Sequence, residues 1–350
     1  MRLRSNRAHL LTAVAVLVII FIFSSVLARP SQGQAPAVPA SPSPAPTTAP
    51  PAPVEQPTLS PVEKGENTPF VIKTRAEEVL LHATVVDSHQ RTIDNLDKAN
   101  FFVFEDGQPQ PVTSFRHDDI PVSMGLLIDN SGSMREKRPR VNAAALDMVR
   151  SSNPQDEVFV VNFNDERYLD QDFTNKISLL KEAMGKIDSK GGTALYDTVE
   201  GAADHLKSNA RLDKRVIVLV TDGEDNASRD SLEQTVHHLQ EEDSPQIFAI
   251  GLLGDNKEGK RAKRALVLLA QHTGGQAFFP ADVSEVDAIT QQVAHDIRNQ
   301  YTIGYRPSHA KSAGGYRQVR VEARARGMSK LVVRTRTGYY ATTDAPGPAQ

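Results

Sequence analysis

Cysteine is absent from the 350 residues of the chain. That one absence excludes disulfides, thiolate metal sites, iron–sulfur clusters and cysteine nucleophiles. It leaves the compartment open, because a chain without thiols folds in either redox environment. A dominant charge sign is lacking as well. Forty Lys and Arg against 43 Asp and Glu give a formal net charge of -3, so nothing points to nucleic acid as a partner. Neither the phosphate loop G-x-x-x-x-G-K-[ST] nor the dinucleotide fingerprint G-x-G-x-x-G occurs, which leaves nucleotide binding unsupported. The G-x-S-x-G elbow that exposes a hydrolase serine is also missing.

What is present begins with a basic start, Arg2, Arg4 and Arg7, followed by an apolar run from Leu10 to Phe23 interrupted by Thr12. Positive charge ahead of a greasy segment is an export signal. The stretch Leu10 to Ala28 is long enough to span a bilayer, and its Val/Ile/Phe core exceeds what a signal peptide needs, which favours an uncleaved anchor. Cleavage after Ala28 is the alternative. Half of the 22 prolines then fall between residues 30 and 61. Such a segment cannot bury enough apolar surface to offset its chain entropy, so residues 29–61 read as an extended, disordered linker.

Residues 62–120 read as a β region. Val79, Leu81, Ala83 and Val85 alternate with other residues at period 2. Phe101 to Phe104 and Val112 to Phe115 flank Asp106-Gly107, a hairpin turn signal because glycine accepts positive φ. From 121 to 298, apolar strand candidates alternate with helical stripes. The strands are Val122 to Ile128, Val158 to Phe163, Val216 to Val220, Ile247 to Leu252 and Gln276 to Phe279. The stripes are Ile177, Leu180, Met184, Ile187; Leu195, Val199, Ala202, Leu206; Leu232, Val236, Leu239; and Val286, Ile289, Val293, Ile297. Apolar strands between amphipathic helices predict an α/β fold, a doubly wound, mostly parallel sheet. Residues 299–342 return to strands, with arginines alternating in Val319-Arg320-Val321 and Val332 to Arg336 as a basic solvated face. These strands are expected to pair with the 62–120 region, so that the α/β domain is inserted in or flanked by a small β domain built from N- and C-terminal strands. Residues 343–350 read as a frayed tail. The charged run Lys257 to Arg264 reads as an exposed loop leading into a helix, His237-His238 as solvated helix histidines, and His272 as a partly charged ring at a helix end.

The most informative segment is Leu126-Leu127-Ile128-Asp129-Asn130-Ser131-Gly132-Ser133-Met134. An apolar strand runs into an Asp, two hydroxyls and a glycine that permits a tight turn. Ligands of open α/β sheets bind beyond the carboxyl ends of the strands, where strand order reverses. Asp129 is placed at one such end and Asp222 at another. Between them Gly191-Gly192-Thr193 forms a glycine-rich loop entering a helix. Oxygen donors without His or Cys suit Mg²⁺, Ca²⁺ or Mn²⁺ rather than Zn²⁺.

Asp129-x-Ser131-x-Ser133, Thr193 and the Thr221-Asp222-Gly223-Glu224-Asp225 run together resemble the metal-ion-dependent adhesion site (MIDAS) of the von Willebrand factor type A (VWFA) family, and Gly274 to Phe278 resembles its closing segment. The resemblance implies a Rossmann-like domain in which Ser131, Ser133 and Thr193 contact the ion through hydroxyls, with Asp129 and Asp222 acting directly or through water. Outside this domain, Glu105-Asp106-Gly107, Gln300 to Tyr305 and Thr337 to Tyr340 resemble the flanks of a bacterial VWFA-related family. The expectation is a non-enzymatic, extracytoplasmic module, membrane-anchored or secreted, that binds a protein partner through Mg²⁺, the partner supplying an acidic residue. A structural or assembly component with an unoccupied site is the alternative, and a hydrolase using Ser131 is a third reading.

Overall fold

In the computed structural model the described residues are 78–341, apart from 187–188, 310–312 and 329. The expected export segment, the linker, the first part of the β region and the tail lie outside them, as does Ile187. Among the described residues no helix is long and apolar enough to cross a membrane.

The centre is a six-stranded sheet made of β5 (Val122–Asp129), β6 (Glu157–Phe163), β7 (Arg167–Thr174), β8 (Lys214–Thr221), β9 (Gln246–Gly251) and β10 (Ala277–Phe278), in the order β10-β9-β8-β5-β6-β7. All neighbours run parallel except β6 and β7. Every residue of β5 is buried, as a strand covered on both faces requires. Its alternation divides two cores. Met124, Leu126 and Ile128 face α1 (Arg138–Ser151), α2 (Ile177–Met184) and α6 (Val286–Arg298). Leu127 faces α3 (Leu195–Asn209), α4 (Leu232–His238) and α5 (Lys257–Thr273). Each fully buried side chain of this size contributes about 1.5–3 kcal/mol relative to exposure.

Two four-stranded sheets flank this unit in sequence. One holds β1 (Val79–Val86), β4 (Val112–Arg116), β11 (Tyr301–Tyr305) and β13 (Val332–Arg334) in the order β13-β1-β11-β4. The other holds β2 (Phe101–Glu105), β3 (Gln108–Gln110), β12 (Tyr316–Ala323) and β14 (Gly338–Tyr340) in the order β14-β12-β2-β3. Strands from before and after the α/β unit pair antiparallel, β1 with β11 and β2 with β12, and their inner faces share one core around Leu81, Val103, Tyr301 and Val321. The α/β unit is therefore an insertion between β4 and β11, as the sequence leads one to expect.

Four local expectations are corrected. Asp106 and Gly107 turn with positive φ, but the hairpin pairs β2 with β3, while Val112 to Arg116 crosses to the other sheet beside β11. Pro111 stands between the two segments, and with no N–H to donate it marks the break in the ladder. Lys257 to Arg264 is the first half of α5, not a loop, because the Asn256 side chain caps the helix by accepting the Gly259 N–H at 2.8 Å. The basic face is only partly solvated. Arg320 is exposed over the Phe104 ring, but Arg334 donates to Gln276 and Arg336 to the carbonyls of Glu241 and Glu242. Finally, burial lowers the pKa of His272 below the usual value, which disfavours the charged ring at the end of α5, and the ring contacts Gln240 and Thr337.

Candidate metal centre

Strand order reverses between β5 and β8, whose first-turn loops open on the same crevice. β5 delivers Asp129 to its floor with no exposed surface. One carboxylate oxygen accepts the Ser131 N–H at 2.8 Å, and the other accepts the Thr221 hydroxyl at 2.6 Å. The chain then makes a single 3-10 turn, Gly132–Met134, anchored by fully buried Met134, before α1 begins. This turn sets Ser131 Oγ and Ser133 Oγ 3.2 Å apart. Asp222, just past β8, meets them: Ser133 Oγ donates to its Oδ1 at 2.7 Å, and Lys137 Nζ is paired with its Oδ2.

The third loop is drawn in by backbone contacts. Gly132 N–H donates to the Gly191 carbonyl at 3.3 Å, and Lys190 N–H to the Asn130 carbonyl at 3.0 Å. Gly191 sits at φ +74°, where a side chain is strained and a Cβ would lie 2.0 Å from Asp165 Oδ2, so any larger residue must push the Asp165 side chain aside. Thr193 follows, 3% exposed, with its N–H on Asn226 Oδ1 at 2.8 Å. Its hydroxyl lies 3.4 Å from the position a Cβ on Gly223 would take, beside Asp222. Of the five residues singled out in the sequence, Ser131, Ser133 and Asp222 meet through their side chains and Asp129 is tied to Ser131 through its N–H, while Thr193 stands beside Gly223, the residue after Asp222.

Burial pushes the Asp129 carboxyl above its ordinary range, against the pull of the Thr221 and Ser131 hydrogen bonds, and the Asp222 charge adds to the rise. A second carboxylate close by in a dry pocket calls for positive charge. Two protein cations respond. Arg138, itself buried, reaches under the loop to the Asp129 carbonyl at 3.4 Å, Asn162 Oδ1 at 3.0 Å and the Met184 carbonyl at 2.6 Å. Lys137 holds Asp222 from the solvent side. Among the described residues no three His, Cys, Asp or Glu side chains gather as metal ligands. Asp129, Asp222, Ser131 and Ser133 set two carboxylates and two hydroxyls close together, oxygen donors of the kind that suit a hard divalent cation.

Thr221, Lys137 and Arg138 carry part of this site beyond the five residues expected as ligands. Thr221 lies inside the Thr221-Asp222-Gly223 run and has a signal there. Lys137 and Arg138 sit in Arg135-Glu136-Lys137-Arg138-Pro139-Arg140, where every side chain looks solvent-bound.

Residues 124–224 match the family model for the von Willebrand factor type A domain. Among solved structures, similarity extends to a von Willebrand factor type A protein from Catenulispora acidiphila, 14% identical over 69% of this chain and 76% of that one, with a TM-score of 0.44. An aerotolerance-related membrane protein from Bacteroides fragilis is 17% identical over 50% of this chain and 98% of its own, TM-score 0.42. Proximal thread matrix protein 1 from the mussel byssus, solved with a zinc-occupied MIDAS motif, is 19% identical over 55% of this chain and 49% of that one, TM-score 0.43. No curated protein matches the chain.

Proposed function

We propose that this chain, whose central α/β unit is a von Willebrand factor type A domain, is a non-enzymatic module that binds a protein partner through a divalent cation held at Asp129, Ser131, Ser133, Thr193 and Asp222. The observation that carries this reading is the meeting of three loops at one crevice, with Ser133 Oγ 2.7 Å from Asp222 and 3.2 Å from Ser131 Oγ. A bound divalent cation would supply the Lewis-acid point on which a carboxylate of the partner closes. Neutral hydroxyls suit that task, since a site filled with carboxylates would leave an ion little residual charge for an incoming acid. Asp129 contributes charge from the floor, and Thr221 and the Ser131 N–H hold it in place. Asp222 already meets Ser133 through Oδ1 while Oδ2 pairs with Lys137, so a cation beside Asp222 would compete with the Lys137 ammonium for its charge.

We place the module outside the cytoplasm, anchored or secreted, on the strength of Arg2, Arg4 and Arg7 preceding the apolar run to Ala28. Mg²⁺ is the proposed ion, with Ca²⁺ and Mn²⁺ as the other candidates.

The Lys137–Asp222 pair also favours a second reading, in which the ammonium neutralises the crevice for good and the domain serves as a rigid assembly component. Titration calorimetry with MgCl₂, CaCl₂ and MnCl₂ separates the two. If a cation is used, the wild type binds one ion, Asp129→Ala loses it, and Lys137→Ala binds several-fold more tightly. Should neither the wild type nor Lys137→Ala bind any of the three ions, the cation-dependent reading fails and the second stands.

A further inference from the structure

The charged run Lys257 to Arg264 holds five cations and one acid, Glu258, in a chain whose formal net charge is -3. α5 sorts these residues by its 3.6-residue period. Ala262, Ala265, Leu266, Leu269 and Ala270 are buried. Lys257, Lys260, Arg261 and Arg264 share the opposite face and are all exposed, and Leu268, 39% exposed, ends their stripe. Lys263 stands to one side, over the Phe279 ring at 4.7 Å.

A helix face that merely meets water mixes its signs, so that residues three and four apart attract. On this stripe the neighbours at those spacings are Lys257 with Lys260 and Arg261, and Arg264 with Lys260 and Arg261. Every one of these pairs repels. Lys257 and Lys260 also lie toward the positive end of the helix dipole, which disfavours them further. Arg261 is partly neutralised, its Nε 2.7 Å from Glu224 and a second nitrogen 3.9 Å from Glu258. Lys257, Lys260 and Arg264 have no ion pair among the described residues. A row of carboxylates laid along this face relieves the repulsion of all four cations at once.

The stripe begins beside the crevice. β9 ends next to β8 with Gly251 opposite Thr221, and the Leu252 N–H donates to the Thr221 carbonyl at 2.9 Å, so α5 starts from the sheet edge that carries Asp222. Glu224, the acid that Arg261 holds, comes just after Asp222 in the chain. From Lys257 to Leu268 the helix runs roughly 17 Å at about 1.5 Å per residue, which an extended peptide spans in about five residues. We propose that the partner bound at the crevice continues as an acidic segment along Lys257, Lys260, Arg261 and Arg264, with Leu268 as an apolar contact at its far end. The inference names the partner's chemistry and rests on the cation-dependent reading of the crevice.

The test uses the full chain and fluorescein-labelled octaglutamate, followed by fluorescence anisotropy at low salt in MgCl₂ or EDTA. The wild type is expected to bind the peptide in MgCl₂, and to bind it more weakly but measurably in EDTA, where the stripe acts alone. Lys260→Glu/Arg264→Glu should weaken binding at least tenfold in both buffers, while its Mg²⁺ affinity by calorimetry stays that of the wild type. Lys176→Glu/Lys181→Glu makes the same charge change at the start of α2 and on its exposed face, on the other side of the sheet, and should bind the peptide as the wild type does. Equal binding by the α5 variant and the wild type, or equal losses in the two variants, overturns the proposal. Capture of the wild type by vesicles of phosphatidylcholine and phosphatidylglycerol, with no binding of the peptide, overturns it as well and assigns the stripe to a membrane surface. If Asp129→Ala and EDTA change nothing while the α5 variant loses the peptide, the acidic segment stands and the cation-dependent reading of the crevice falls.

Discussion

Glu105 shows how much a single side chain carries in the β domain. It is 2% exposed, and its carboxylate accepts the Tyr305 hydroxyl at 2.6 Å, the Tyr339 hydroxyl at 3.0 Å and an Arg317 N–H at 3.2 Å. Removing it takes the shared carboxylate away from a buried guanidinium and two buried phenols. Glu105→Ala is therefore expected to cost about 3–5 kcal/mol in urea unfolding, and Tyr339→Phe about 1 kcal/mol. A loss below 1 kcal/mol in Glu105→Ala would show that the cluster is not structural. In the sequence, Glu105-Asp106-Gly107 looks like a turn and nothing more. The tyrosines that give the glutamate its role lie at least 200 positions away, and only the family resemblance sets the three segments side by side.

Asp156 supplies a pH dependence. Burial raises its pKa from the ordinary 3.8 to about 6, against the pull of the Val122 N–H bond. The folded chain thus keeps a proton up to about pH 6 that the unfolded chain releases near 3.8. Between those values the folded state binds more protons, so this group's contribution to stability falls as pH rises through the window, and the full cost is present at neutral pH. Asp156→Asn keeps an acceptor for Val122 and never ionises. It should be more stable than the wild type at pH 7 by on the order of 2 kcal/mol, with the advantage vanishing below about pH 4. A constant difference across pH 4–7 would mean that Asp156 is ionised throughout.

At the scale of the element, the loops decide the site and the strands decide where the loops are. β5, β6, β8 and β9 are legible from their apolar runs, because a strand buried on both faces has few other compositions open to it. β7 is not: Arg167-Tyr168-Leu169-Asp170-Gln171-Asp172-Phe173-Thr174 is an antiparallel edge strand in which Arg167, Asp170, Gln171, Asp172 and Thr174 are polar, and edges tolerate that. α1 is hidden too, since Arg138, Pro139 and Arg140 at its start mask a stripe of Val141, Ala144, Ala145 and Met148. For the same reason Lys137 and Arg138 give no sign in the sequence of belonging to the crevice. Gly191 tests the loop argument. With φ +74° and Asp165 blocking any Cβ, Gly191→Ala should displace Thr193 and weaken cation binding by at least tenfold in calorimetry, while the far-ultraviolet circular dichroism stays that of the wild type. Unchanged affinity would detach this loop from the ion.

For the whole molecule, the pairing of strands far apart in sequence sets the terms. β1 is hydrogen-bonded to β11 and β13 and to no other named strand, and Val79, Leu81, Ala83 and Val85 share their core with Tyr301, Ile303, Val319 and Val321, more than 200 positions later, as well as with Leu96, Phe101 and Val103. A chain cut after Arg298 loses both neighbouring strands of β1 and a large part of that core. It is expected to aggregate or to lose residues 78–116 to mild proteolysis, whereas the full chain resists, and a soluble, protease-resistant truncation would contradict this. The period-2 pattern and the late strands make the insertion legible. The division into two sheets is not, because β4 and β3 adjoin in sequence and part only in space.

The pairing of β4 with β11 places Arg116 opposite Thr302, the two points where the chain leaves for and returns from the α/β unit. These strands act as a clasp across the neck of the insertion. A tug applied at residues 78 and 341 loads the β domain first, and tension reaches the crevice only once the clasp has parted. Under traction, the loops that carry Asp129, Ser131, Ser133 and Asp222 would be shielded by strands that lie outside them.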